Sequence, residues 1–244
     1  MDALNILITG ASGGIGKYLI DDLSDFGHNL ALHYNSNSEA INENIKNASS
    51  KNIKLNSYKA DLLSEIEVKN LIENVIKDFG KIDVLINNAG ISINSMSWKM
   101  KLDDWNKVIG VNLTAGFLCS KYAVPSMKEN NFGRIIFISS VVSQIGVAGT
   151  AAYAASKSGL FGLCKTLSKE LIRNNITVNT ISLGYFECGM LYQIPEEIRL
   201  QILETIPSKK FGNPSEISNC VKYLISENSS YITGQTINLN GGLF

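Results

Sequence analysis

Short aliphatic runs alternate along the chain with longer stretches whose apolar positions recur every three or four residues. Leu4–Thr9 reads as a buried strand, and a helix is expected from about Ile15. Asn29–Tyr34 and Asn52–Tyr58 read as strands two and three, with a helix between them over Glu39–Ala48. Ile82–Asn87, Arg134–Ser139, Ile176–Ile181 and Thr236–Leu239 continue the series to seven strands. Further helices are predicted over Ser64–Asp78, Asp103–Asn130, Ala151–Arg173 and Pro214–Ser226. Most strands are unbroken Ile/Val/Leu runs rather than apolar–polar alternations, so both faces of each need cover. The pattern predicts an α/β fold: a Rossmann-type doubly wound sheet, seven mostly parallel strands with helices on both faces.

No Ser/Pro-rich linker and no internal repeat breaks this rhythm, so residues 1–244 are expected to form one domain. Met1–Asn5 leads directly into the first strand, without the basic and apolar stretches of a secretory signal. No apolar run approaches the ~20 residues that span a bilayer. A cytoplasmic protein with no membrane partner is expected.

Composition narrows the function classes. Lys and Arg together number 22, matched by 22 Asp and Glu, so the excess positive charge that non-specific nucleic-acid binding needs is missing. Cys119, Cys164, Cys188 and Cys220 form no C-x-x-C pair, and their spacing fits neither a disulfide framework nor a zinc site. No metal is expected.

The chemistry begins at Thr9-Gly10-Ala11-Ser12-Gly13-Gly14-Ile15-Gly16, between the first strand and its helix. Glycines there let backbone approach a diphosphate, and the helix N-terminus offers free N–H groups and a positive dipole end. The spacing departs from G-x-G-x-x-G, but its place in a βαβ unit favours a dinucleotide site over a simple tight connection. At the end of strand two an acidic residue would bond the ribose 2′-hydroxyl of NAD. The stretch here is His33-Tyr34-Asn35-Ser36-Asn37-Ser38, and the first acid is Glu39. Without a carboxylate to repel a 2′-phosphate, NADP(H) is favoured over NAD(H), with Tyr34, Asn35 and Ser36 beside it. His33 itself reads as a surface residue at the strand end.

Tyr153 and Lys157 lie four apart on one predicted helix and share a face. A free phenol, with a pKa of about 10, shuttles protons poorly at neutral pH, and a nearby cation pulls it toward the working range. Such pairs also occur in ordinary helices. Ser140, thirteen residues before Tyr153, falls at the carboxyl end of strand five, where ligands bind in such sheets. Ser139 is the alternative hydroxyl.

These motifs, with Asp61 after strand three, Asn87-Asn88-Ala89-Gly90 after strand four, and Asn112, make the chain resemble the short-chain dehydrogenase/reductase family over essentially its whole length. Within that family it is most similar to bacterial 3-oxoacyl-[acyl-carrier-protein] reductases, down to Tyr231-Ile232-Thr233-Gly234-Gln235 and Asn240-Gly241-Gly242. The resemblance implies proton transfer by Tyr153, an oxygen-bonding Ser140, a Lys157 that lowers the Tyr153 pKa and holds ribose hydroxyls, and an Asn112 that positions a water. It implies cofactor contacts at Gly10, Ser12, Gly14, Ile15, Gly16, Asp61, Leu62, Asn88, Ala89, Gly90, Gly184 and Phe186. Taken singly, Asn112 also fits a helix kink or cap, and Asn87 and Asn88 also fit the shaping of a turn.

After strand six the family has Pro-Gly and, a few residues on, a Thr that bonds the cofactor. Leu183 and Cys188 stand there instead. A nucleophilic Cys188 is the sharp alternative, without a His or Asp partner readable in the sequence. Residues 185–212 are expected to form a mobile substrate lid. Its residues Tyr185, Phe186, Met190, Leu191, Tyr192 and Ile194 fit either a substrate lining or the lid's own core. The resemblance implies a 3-oxoacyl thioester substrate carried on coenzyme A or acyl carrier protein, and a homotetramer. Family members dock the acidic carrier through arginines near two turns, and the corresponding stretches, Glu129-Asn130-Asn131 and Arg173-Asn174-Asn175, hold one arginine. A dehydrogenase of a sugar, polyol or other secondary alcohol is the alternative enzyme, and a non-catalytic nucleotide sensor is the alternative outside enzymes.

Overall fold

The structure, a computed structural model, describes residues 3–48 and 52–244. Met1 and Asp2, on which the reading of the chain's start rests, lie outside the described residues. The elements run β1 (Asn5–Ile8), α1 (Gly14–Asp25), β2 (Asn29–Tyr34), α2 (Ser38–Ala48), β3 (Leu55–Lys59), α3 (Glu65–Phe79) and β4 (Val84–Asn87). They continue with α4 (Leu102–Ile109), α5 (Ala115–Glu129), β5 (Gly133–Ser140), α6 (Val142–Ile145), α7 (Ala151–Leu171), β6 (Ile176–Leu183), α8 (Glu196–Thr205), α9 (Pro214–Ile225) and β7 (Thr236–Leu239). The sheet has seven strands in the order β3-β2-β1-β4-β5-β6-β7, and every pairing among the described residues is parallel. This is the predicted doubly wound α/β architecture.

Adjacent strand residues feed opposite cores, which is why the strands read as continuous apolar runs. Ile6, Ile8, Leu30, Leu32 and Ile136 pack with Leu19 and Leu23 of α1 and Val221 of α9. Leu7, Ala31, Leu85, Ile135 and Phe137 pack instead with Val68 of α3, Ala123 of α5 and Leu160 of α7. Full burial of an aliphatic or aromatic side chain stabilises by about 1.5–3 kcal/mol, so both layers are needed. Phe137 lies so close to α5 that a Cβ on Gly116 would sit 3.2 Å from its ring. Among the described residues no helix is long and apolar enough to cross a membrane.

Two elements depart from expectation. Strand three begins at Leu55 rather than Asn52, because Asn52 and Ile53 form a bend before pairing with β2 starts at Leu30↔Leu55. The helix expected over Asp103–Asn130 is divided by a π turn at Gly110–Thr114. An i→i+5 turn inserts an extra residue, which a 3.6-residue period cannot register. Its consequence is local: Asn112 is turned inward and buried.

Candidate active site

Parallel strands deliver the loops at their carboxyl ends to one edge of the sheet, and the sequence-predicted residues gather there. After β1 the chain turns through Gly10, which has φ +64°, and enters α1 with Gly13 as an N-cap that offers no side-chain hydrogen bond. No acidic residue occupies the first turn of α1, so no carboxylate of that turn competes with an anion for its free N–H groups. The glycines are sterically required. A Cβ on Gly10 would lie 2.7 Å from Ala89 Cα, and one on Gly16 would lie 2.4 Å from the Ala11 carbonyl oxygen. A Cβ on Gly14 would meet Gly189 N and Cα at 2.4 Å, so the segment after β6 rests directly on the turn. Ser12 and Ile15 are half-buried beside these glycines. This cradle fits a dinucleotide diphosphate.

The turn is tied to the end of β4. Asn88 Nδ2 donates to the carbonyls of Thr9 (3.0 Å) and Gly10 (3.1 Å), while Thr9 Oγ1 accepts from Asn88 and Ala89 N–H, each at 3.1 Å. Thr9 is therefore an anchor that the site prediction left out, although its hydroxyl beside the first glycine is a readable signal.

His33 is not the expected surface residue. It is 2% exposed, with Nδ1 accepting from Gly10 N–H at 3.1 Å and Nε2 3.0 Å from the Ala60 carbonyl oxygen. The alternation of β2 places it under the turn. Burial lowers its pKa, outweighing the hydrogen bond to Ala60 and the field of Asp61, and burial lowers that of His28 as well. Folded protein therefore binds fewer protons than unfolded chain once the pH falls below the unfolded histidine value of about 6.5. Stability contributed by the neutral imidazoles is complete above that pH and is lost as pH falls toward the folded pKa values. Urea unfolding is expected to show stability dropping by up to ~1.4 kcal/mol per pH unit per histidine below pH ~6.5. A flat profile down to pH ~5 excludes this linkage.

Along the rest of the cofactor edge, Tyr34 is half-buried and Asn35 and Ser36 are exposed, with no carboxylate before Glu39. Asp61 accepts from Leu63 N–H at 3.0 Å, and its own N–H donates to the Glu67 carboxylate at 2.7 Å. Leu62 is buried among α3 and α5 side chains. Gly184, at the end of β6, packs so closely on β7 that a Cβ would lie 2.8 Å from Asn240 Cα. Phe186 turns its ring into the core against Gly212, so any contact it makes with a cofactor is through backbone. Leu191 is also buried, Tyr185 and Ile194 are half-buried, and Met190 and Tyr192 are exposed. The segment thus has both lining and core residues. Burial pushes the Cys188 thiol up to about 11, which leaves little thiolate for nucleophilic attack near neutrality.

The four proposed catalytic residues converge at the ends of β4 and β5. Ser139 and Ser140 point to opposite sides of the strand and divide the work. Ser139 Oγ donates to the Lys157 carbonyl at 2.9 Å and fastens α7 to the sheet. Ser140 Oγ accepts from Val142 N–H at 3.3 Å, and its hydroxyl works against the burial that raises the Tyr153 pKa. Burial is the larger effect, so the phenol stands above its usual value and not below it as expected. Tyr153 is 8% exposed. Lys157 is 3% exposed, and burial holds its pKa down at about 8. Its Nζ donates to the Ile138 carbonyl at 2.7 Å and lies 5.9 Å from the Tyr153 ring centre. A Cβ on Gly90 would lie 3.2 Å from that Nζ and 3.5 Å from Asn112 Oδ1, so the three residues form one corner.

The π turn supplies the fourth residue. Asn112 Oδ1 accepts from Ile91 N–H (2.8 Å), and its Nδ2 donates to the Ile91 carbonyl (2.9 Å) and Ser156 Oγ (3.0 Å). Ser156 Oγ in turn donates to the Tyr153 carbonyl at 2.8 Å. Fully buried Ser156, also left out of the prediction, links the π turn to the helix that carries Tyr153 and Lys157. Its position between the two was the only signal in the sequence.

Comparison with known proteins agrees with this geometry. Residues 10–244 match the family model described as enoyl-(acyl carrier protein) reductase. The chain is 39% identical over 241 residues to a 3-oxoacyl-[acyl-carrier-protein] reductase of Staphylococcus epidermidis, covering 98% of each chain. It is 38% identical to proteins of the same name from Staphylococcus aureus, over 98% of this chain and 97% of that one, and Thermotoga maritima, over 97% and 96%. With the parallel sheet, the glycine turn and these near-full-length matches, the chain belongs to the short-chain dehydrogenase/reductase family and is an NAD(P)-binding oxidoreductase acting on CH–OH and C=O groups.

Proposed function

We propose that this protein uses NADPH to reduce a ketone to a secondary alcohol, with a 3-oxoacyl thioester as substrate. The observation that carries the reading is the buried Tyr153, one helical turn before the buried Lys157, whose Nζ lies 5.9 Å from its ring centre, at the end of β5 that carries Ser140. A phenol so placed is suited to giving a proton to an oxygen. The thioester comes from the names of the relatives.

In this reading Gly10, Ser12, Gly14, Ile15 and Gly16 hold the diphosphate, and Asp61, Leu62, Asn88, Ala89 and Gly90 hold the adenosine and ribose side. Tyr34, Asn35 and Ser36 take the 2′-phosphate, which no carboxylate of the 33–38 stretch repels. Tyr153, Lys157, Gly184 and Phe186 border the nicotinamide end. The cofactor supplies the hydride that goes to the carbonyl carbon. Tyr153 delivers the proton to the carbonyl oxygen, and Ser140 donates a hydrogen bond to that oxygen as charge builds on it. The Lys157 cation favours the phenolate left behind. Asn112, held at both ends of its amide, orients the helix through Ser156 and stands beside the Lys157 ammonium.

The reading takes residues 1–244 as one domain, with 185–212 as the mobile substrate lid, in a cytoplasmic homotetramer. Glu129 beside one turn and Arg173 beside the other give weaker positive charge for an acidic carrier than two arginines would. Coenzyme A thioesters are therefore expected to serve as well.

The test is NADPH oxidation with acetoacetyl-CoA and with crotonyl-CoA, beside NADP+ reduction with a panel of sugars and polyols, each repeated with NADH or NAD+. Turnover of the ketone alone is expected. Turnover only of crotonyl-CoA makes it an enoyl reductase, in line with the description of the family model. Turnover only of alcohols makes it a dehydrogenase of that class, and tight cofactor binding with no turnover makes it a nucleotide sensor.

A further inference from the structure

We propose that His33 is a positioning residue for the cofactor: a neutral imidazole clamped between the glycine-rich turn and β3 that holds the turn in its binding shape. The inference rests on the reading of that turn as a dinucleotide site.

Ring nitrogens of histidine are distinct, and here their partners decide which is protonated. A carbonyl oxygen only accepts, so Nε2, 3.0 Å from Ala60 O, carries the proton. Nδ1 is then bare and accepts from Gly10 N–H at 3.1 Å. The His33 carbonyl meanwhile accepts from Ala11 N–H at 2.8 Å. One residue thus holds two successive N–H groups of the turn, and Gly10 is kept in its left-handed conformation against Ala89.

The surroundings favour this neutral form. Asn5–Gly16 and Val84–Gly90 contain no charged side chain. Asp61 on the β3 side is the charged group whose field reaches the ring, with Glu67 behind it on the Asp61 N–H. An aliphatic residue at position 33 would leave the Gly10 N–H and the Ala60 carbonyl, just after β3, without these partners in the interior.

Two substitutions separate the halves of the clamp. In His33→Asn, Oδ1 occupies the branch that carries Nδ1, so the acceptor for Gly10 is kept and the bond to Ala60 is lost. In His33→Gln, the amide extends as far as Nε2, so a donor for Ala60 is kept and the acceptor for Gly10 is lost. Calorimetric titration of the full chain with NADP+ is expected to give a Kd for His33→Asn within about threefold of wild type and for His33→Gln at least about tenfold weaker. At saturating cofactor kcat should stay within about threefold for both, which places the effect in binding and not in chemistry.

The chain has two histidines, so the His33 imidazole signals in a long-range 15N–1H spectrum are those missing from His33→Asn. Near pH ~7 they should report the Nε2–H tautomer, the one that both hydrogen bonds require, and this is readable in wild type even if a variant fails to fold. An Nδ1–H tautomer, His33→Gln binding as wild type does, or His33→Asn binding as weakly as His33→Gln overturns the inference. Wild-type protein that binds neither NADP+ nor NAD+ overturns the proposed function with it, whereas intact and equal binding in all three proteins overturns this inference alone.

Discussion

Replacing Tyr153 with phenylalanine is expected to lower kcat for ketone reduction by ~10²–10⁴-fold while NADP+ binding stays within about threefold. The substitution removes one oxygen and keeps the ring, which packs in the small cluster with Val108 and Ala152. Lys157 keeps its anchor on the Ile138 carbonyl, and Ser139 still fastens α7 to β5, so the scaffold of the site survives. What disappears is the group proposed to give its proton to the substrate oxygen. The pH profile of the wild-type enzyme carries a related signature. Lys157, with its pKa held near 8 by burial, is a cation below that pH and loses its charge above it. Reduction should therefore decline as pH rises through about 8. Initial rates with acetoacetyl-CoA across this range check both statements, and a Tyr153→Phe enzyme keeping more than about a tenth of wild-type kcat would exclude the phenol as the proton donor.

Gly16→Ala is expected to weaken NADP+ binding by roughly a hundredfold and to cost about 1–3 kcal/mol of stability. The added Cβ would sit 2.4 Å from the carbonyl oxygen and 2.7 Å from the carbonyl carbon of Ala11. Both are backbone atoms of the turn, so relief requires the start of α1 to move off the turn, and the N–H groups proposed to hold the diphosphate move with it. Gly13→Ala is the control, since its Cβ would meet only the Gly10 carbonyl oxygen, at 3.3 Å, and Gly13 already has φ −82°. Its Kd should remain within about fivefold of wild type. Equal affinity in the two variants, measured by calorimetry beside urea unfolding, would contradict the view that close approach at Gly16 shapes the site.

Several features of the site were legible because their signals are local. The glycine-rich turn announces itself between a strand and a helix, and Tyr153 and Lys157 share a helix face whatever surrounds them. Other features were hidden by their dependence on the fold. Asn112 was readable as an isolated amide, yet its inward direction comes from the π turn, which shifts the helical phase by one residue. His33 sits at the end of a strand followed by polar residues, which resembles a surface position until β3 closes over it. Phe186 lies among residues expected to contact the cofactor, but the bridge between Phe186 and Gly212 carries its ring into the core.

The contact between Gly14 and Gly189 joins residues far apart in the chain, and no period or motif relates them. It also gives a structural setting to the departure at Cys188. The thiol is buried, and the residue after it is a glycine whose backbone lies on the glycine-rich turn.

By itself the sequence determined the layered α/β plan, the place of the glycine-rich turn and the shared helix face of Tyr153 and Lys157, because hydrophobic period, turn chemistry and i,i+4 spacing act over a few residues. Tertiary structure alone decided that Ser140 faces the phenol while Ser139 holds the helix, that Asn112 turns inward, that His33 underpins Gly10, and that Gly189 covers Gly14. The physical reason is that hydrogen-bond partners and van der Waals neighbours across the sheet are set by strand register and helix phase, which single-residue insertions shift without changing the local pattern.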